Sequence, residues 1–105
     1  GSSKADKGGD TTISSGDGLA AGGTLSLYGG SSMGVGGSLT FVGGETTGGD
    51  KDSVGGDVSL QSGAGATSQS GSVVVGSNNS LSSGTVRLHS GDAVNGNSGV
   101  LTITT

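Results

Sequence analysis

A five-residue unit, a glycine followed by alternating polar and apolar positions, recurs seven times along the sequence. Its clearest copies are Gly23-Thr24-Leu25-Ser26-Leu27 and Gly37-Ser38-Leu39-Thr40-Phe41. From Thr11, which takes the first apolar position of the first unit, successive units follow at steps of 14, 14, 19, 15, 13 and 15 residues. Because alternate side chains of an extended segment point to opposite faces, each unit predicts a short strand with one apolar face.

A second, weaker register lies between these units. Six residues after the second apolar position of a unit stand Leu19, Met33, Thr47, Ala66, Leu81 and Val94. Four residues before the first apolar position of the next unit stand Ala21, Val35 and Val54. The intervening residues are rich in glycine, serine, asparagine and aspartate, which favour turns. Each repeat therefore predicts one coil in which two short strands face each other across a thin interior.

Self-similarity of this kind is typical of repeat architectures. The sequence predicts an all-β fold, a two-faced β-solenoid (a β-helix or β-roll) of about seven coils with roughly 14–15 residues in each. Its thin core is predicted to consist of Ile13, Leu25, Leu27, Met33, Val35, Leu39, Phe41, Val54, Val58, Leu60, Val73, Val75, Leu81, Val86, Leu88, Val94, Leu101 and Ile103.

The composition excludes a thick hydrophobic core. Apolar residues make up 28% of the sequence, against about 45–50% in an ordinary globular domain. The 26 glycines among 105 residues raise the entropic cost of folding. A disordered linker is the alternative interpretation, because such linkers are also rich in glycine and serine. The fixed phase of the apolar pairs favours the ordered fold.

The same pattern suggests a simple domain organisation. We expect residues 1–8 to form a flexible lead-in and residues 9–105 to form a single repeat domain. An insertion near 43–53 lengthens the third coil, as either a tolerated surface loop or a binding loop. The pattern continues to Leu101–Thr105 without a polar cap. We therefore expect a fragment of a longer array or a unit that stacks end to end.

Charge and chemistry exclude several classes of function. Four basic residues and a net charge of −4 cannot make a phosphate-binding surface, so no nucleic-acid partner is expected. No apolar run is long enough to span a membrane, and the absence of cysteine excludes disulfides. The stretch His89-Ser90-Gly91-Asp92 holds the residue types of a hydrolase triad, but neighbours on a strand point to opposite faces. No catalytic residues are assigned, and the protein is not expected to be an enzyme.

Oxygen ligands for a metal ion are sparse. Asp50, Asp52 and Glu45 are weak candidates for a calcium site in the third coil. Solvated carboxylates in a turn are the preferred interpretation, so no cofactor is expected. Asn78 begins an Asn-Asn-Ser sequon in a predicted turn and is a candidate for N-glycosylation.

One outward column of the predicted strands is rich in hydroxyl groups. Its hydroxyl-bearing members are Thr12, Ser26, Thr40, Ser59 and Thr102, and its other two positions are Val74 and Arg87. A flat rank of such side chains could bind ice or a glycan, although Arg87 in the same column, and Tyr28 and His89 beside it, interrupt the flatness. This surface is the alternative ligand face.

The Ser-Gly-x…Gly-Gly-x-Leu-x-Leu pattern over Gly9 to Thr105 resembles the glycine- and serine-rich β-solenoid arrays of large extracellular proteins. Similar arrays occur in phage tail fibres and in surface or appendage proteins of algae and related protists. The resemblance implies a structural or adhesive role. We therefore expect a self-assembling module of an extracellular fibre, sheath or cell-surface appendage. Its partners would be identical chains or further repeats.

Overall fold

The computed structural model describes residues 7–49 and 52–105, and over these residues it contains neither a helix nor a strand. The protein divides into two units, Gly1–Val58 and Ser59–Thr105. Irregular backbone connects bends at 19–20, 33–35, 66–68, 80–82 and 94–96. None of them belongs to a helix that could cross a lipid bilayer.

The predicted all-β class and β-solenoid are wrong. A solenoid requires continuous backbone hydrogen bonding between successive coils. The described residues instead form four backbone–backbone hydrogen bonds, each joining one glycine to another. Each bond stands alone, so no strand ladder develops from it.

The predicted thin core is also absent from the described residues, since none of their apolar side chains is buried. The half-exposed side chains Leu25, Leu27, Val73 and Leu101 are the least exposed of the predicted set, at 50–51%. Every other predicted core residue is more exposed than these: Ile13, Met33, Val35, Leu39, Phe41, Val54, Val58, Leu60, Val75, Leu81, Val86, Leu88, Val94 and Ile103.

The total exposed area is far above that of a folded domain. The protein exposes 10506 Å² to solvent. A folded protein of 9.7 kDa would expose about 5,100 Å², and the fully unfolded form about 14,000 Å². The protein therefore buries less than half of the area that a folded domain of its mass would bury.

Composition explains why the apolar repeat does not close a core within one copy. The five-residue unit of a repeat brings at most two or three large apolar side chains, and the facing register is uneven, because residues such as Ala66 and Thr47 would bury little area there. Ordering the many glycines costs more backbone entropy than ordering other residues. A regular apolar phase is therefore not sufficient for a two-walled interior.

One ion pair lies near the start of the described residues. Lys7 Nζ lies 3.0 Å from Asp10 Oδ2, and both side chains are 79% exposed. A pair this exposed contributes little to stability. Residues 1–6 of the predicted lead-in lie outside the described residues, and the single repeat domain at 9–105 stays a prediction.

Candidate functional site

The four glycine–glycine hydrogen bonds close four loops of the backbone. The amide N–H of Gly23 donates to the carbonyl oxygen of Gly16, with an N···O distance of 2.8 Å. Equivalent bonds of 2.7, 2.8 and 2.9 Å close the following three loops. These closed loops span residues 16–23, 30–37, 44–56 and 63–71.

The closed loops keep the phase of the sequence repeat. Each donor glycine, such as Gly23 or Gly37, is the first residue of a five-residue unit. Each acceptor glycine lies three residues after the second apolar position of the preceding unit, as Gly30 follows Leu27. The loops therefore link consecutive apolar units, and their spacing is that of the repeat.

Close approach of two backbone segments explains the glycines at the loop bases. A Cβ added to Gly29 would lie 2.5 Å from the carbonyl oxygen of Gly37. In the third loop, a Cβ on Gly43 would collide with the carbonyl oxygen of Gly56. None of these glycines has a positive φ. The space between the two segments, rather than a left-handed backbone, is what requires glycine here.

Serine replaces one of the facing glycines in two other loops. A Cβ on Gly23 would lie 3.3 Å from Ser15 Cβ, and one on Gly71 would lie 3.4 Å from Ser62 Cβ. The Ser15 hydroxyl also donates to the carbonyl oxygen of Gly23, with an O···O distance of 2.8 Å. The prediction of strands missed the role of the Gly-Gly and Ser-Gly pairs in letting two backbone segments approach closely. The pairs themselves can be seen in the sequence.

The second apolar register lies in the bends of the backbone. Leu19, Met33, Leu81 and Val94 are fully exposed, at 107–111%. The sequence predicts that they face inward across the coil from the strand residues. That prediction is wrong, because all four residues lie in bends and their side chains are fully exposed rather than packed against another segment.

The apolar pairs are a repeated feature of the described surface. We use this name for Leu25/Leu27, Leu39/Phe41, Val58/Leu60, Val73/Val75, Val86/Leu88 and Leu101/Ile103. Their first members are 50–66% exposed and their second members 51–82%. No backbone–backbone hydrogen bond of the described residues begins or ends within a pair. Each pair thus offers apolar side chains and unpaired backbone groups together.

The predicted hydroxyl column is placed on the surface without forming a flat face. Thr12, Ser26, Thr40, Ser59 and Thr102 are all exposed. A flat rank of hydroxyls depends on neighbouring strands held in register. Since the described residues contain no strand, these five side chains are not aligned by a sheet.

The other candidate residues remain dispersed. Over 7–49 and 52–105, no three His, Cys, Asp or Glu side chains come together in a group that could hold a metal ion. Glu45 and Asp52 are exposed, and Asp50 lies outside the described residues. His89 Nδ1 lies 3.0 Å from the carbonyl oxygen of Ser90, a contact that requires the proton on Nδ1.

The candidate glycosylation site lies on an exposed stretch. Asn78 precedes the bend at 80–82, and its Oδ1 accepts a hydrogen bond of 2.9 Å from the amide N–H of Asn79. Modification of Asn78 stays a prediction.

No protein-family model matches the sequence, and no match was found among curated proteins or solved structures.

Proposed function

We propose that the protein is a self-associating structural module of an extracellular fibre, sheath or surface appendage, in which the apolar pairs are buried between copies. The observation that carries the proposal is the exposure of every apolar pair in the single copy. Extended apolar surface of this kind is typical of interaction sites on soluble proteins.

Burial between copies would supply the free energy that the single copy lacks. Removing one leucine or valine side chain from water stabilises an assembly by about 1.5–3 kcal/mol when burial is complete. Six pairs at nearly regular spacing can be covered together by a second copy with the same spacing. Such contacts repeat along the sequence, so association should be cooperative.

Unpaired backbone N–H and C=O groups also favour a second copy of the protein as the partner. The segments that carry the pairs have N–H and C=O groups without backbone hydrogen bonds in the described residues. Burying such groups unpaired would be costly. A second copy in an extended conformation can satisfy them while its side chains cover the apolar pairs.

The charge of the protein is compatible with close packing of copies. Charged residues make up 11% of the sequence and the net charge is −4. Repulsion between copies is therefore modest and is weakened further by salt. The extracellular setting rests on the resemblance of the glycine- and serine-rich repeat to arrays of large extracellular proteins.

A matched pair of leucine variants tests this proposal. Replacing both Leu25 and Leu27 by serine removes one apolar pair, and replacing Leu19 by serine removes a leucine from a loop end. The double variant should raise the critical concentration for assembly by about tenfold or more, since 1.4 kcal/mol corresponds to a factor of ten. Leu19→Ser should change it little. Sedimentation velocity over a concentration series measures both.

Two results would contradict the proposal. One is a wild-type protein that stays monomeric at every concentration, and the other is an equal effect of the loop and pair variants. Electron microscopy of the concentrated protein should show fibres or sheets. A monomer that halts ice growth or is retained on a glycan array would instead favour the hydroxyl side chains as a binding surface.

A further inference from the structure

Asn95 occupies a loop with an unusual backbone. It precedes Gly96, whose φ of +108° is the only positive φ among the described residues. The surrounding loop is held by a 3.1 Å hydrogen bond from the amide N–H of Ala93 to Ser98 Oγ. Residues 94–98 are all exposed. The Asn-Gly pair therefore sits at an accessible bend.

We infer that Asn95 is a site of spontaneous deamidation, through a cyclic imide formed with the backbone nitrogen of Gly96. In the first step the Gly96 nitrogen attacks Cγ of Asn95 and a new C–N bond forms. The bond between Cγ and Nδ2 then breaks, and Nδ2 leaves as ammonia with the proton from Gly96. Water opens the ring at either carbonyl, which gives aspartate or isoaspartate.

The structure favours this step at Asn95 for three reasons. No atom outside the adjacent residues lies within 4 Å of the position that a Cβ on Gly96 would take, so the bend leaves open space around this glycine. Within the described residues, the Gly96 amide N–H has no hydrogen-bond acceptor that would hold it away from Cγ. Glycine also gives the backbone the widest freedom to reach the ring geometry.

The other three asparagines provide internal comparisons. Asn78, Asn79 and Asn97 are followed by Asn79, Ser80 and Ser98, each of which carries a side chain next to the attacking nitrogen. Asn97 is the closest match, because it lies in the same exposed loop. Each conversion at Asn95 would change the net charge from −4 to −5.

Peptide mapping of the full-length protein tests the assignment. The protein is incubated in mildly alkaline buffer, and samples are cleaved after lysine and arginine. One product, residues 88–105, carries both Asn95 and Asn97. We expect Asn95 to convert on the order of tenfold faster than Asn97, because glycine leaves the attacking nitrogen unhindered. The products should include isoaspartate, which direct hydrolysis of the asparagine side-chain amide does not give.

The variant Gly96→Ser is the matched control, since it places serine after both asparagines of the loop. It should lower the rate at Asn95 to that at Asn97. Equal rates in the wild-type protein, a product with aspartate alone, or an unchanged rate in Gly96→Ser would each overturn the assignment. Serine rarely adopts the φ of +108° found at Gly96, so this variant should also shift the backbone of the exposed bend. It removes no buried core, because the described residues have none.

Discussion

At the scale of single residues, two kinds of glycine are distinguished by what surrounds them. Gly29 faces the backbone of Gly37 so closely that a Cβ would lie 2.5 Å from a carbonyl oxygen. Its neighbour Gly30 has no atom within 4 Å of the same position. The first is required by the loop, whereas the second is tolerated at the cost of backbone entropy.

This difference predicts opposite effects of two adjacent substitutions. Gly29→Ala should open the second closed loop, because the new methyl group would overlap the backbone of Gly37. The amide N–H of Gly37 should then exchange with solvent at the rate of an unprotected amide. Gly30→Ala should leave that amide unchanged or slightly more protected, since it restricts the open form. Amide exchange measured by NMR distinguishes the two, and equal exchange in both variants would contradict this distinction.

At the scale of elements, the closed loop is the structural unit that recurs between the first five apolar units. Four loops are closed by one glycine–glycine hydrogen bond each, although their lengths differ. The loop ending at Gly23 has a second bond, from the Ser15 hydroxyl to the Gly23 carbonyl oxygen. Ser62, at the equivalent position in the loop ending at Gly71, makes no such hydrogen bond among the described residues, and a Cβ on Gly71 would lie 3.4 Å from Ser62 Cβ.

Replacing these two serines should therefore have different effects. Ser15→Ala removes a hydrogen bond worth about 0.5–1.5 kcal/mol, with an exposed bond at the lower end of that range. Exchange of the Gly23 amide should accelerate by roughly two- to tenfold, by the same energies. Ser62→Ala removes no hydrogen bond and should leave the Gly71 amide unaffected. The same NMR exchange experiment measures both, and acceleration at Gly71 would show that the two serines act alike.

The sequence predicted the spacing of these elements but not their nature. The steps between apolar units reappear in the loops, because Gly23, Gly37, Gly56 and Gly71 each begin a unit and close a loop. The predicted strand pairing and core are absent from the described residues. Periodicity records which side chains recur in phase, whereas a core also requires enough apolar area to outweigh the ordering of the backbone.

The candidate sites were predictable to a similar extent. The apolar pairs are visible as a repeated register in the sequence, but their exposure could not be inferred from the pattern. Residues of the second register, such as Met33 and Leu81, were assigned inward although they stand in bends. Their apolar character suggested burial, while the glycine- and serine-rich segments around them gave no second wall to bury them against.

At the scale of the whole molecule, the protein exposes about twice the area expected of a folded domain of its mass. A single copy therefore lacks the buried apolar surface that makes unfolding cooperative and gives it a large heat-capacity change. In the proposed assembly, that surface is supplied by other copies. Stability should then depend on protein concentration, as it does for obligate oligomers.

Differential scanning calorimetry over a wide range of protein concentrations tests the absence of a core in the single copy most directly. At high dilution we expect no cooperative transition. Above the assembly threshold we expect one whose midpoint rises with concentration. A sharp transition in the dilute monomer, with a heat-capacity change of about 12–15 cal/mol/K per residue and a midpoint independent of concentration, would contradict the account.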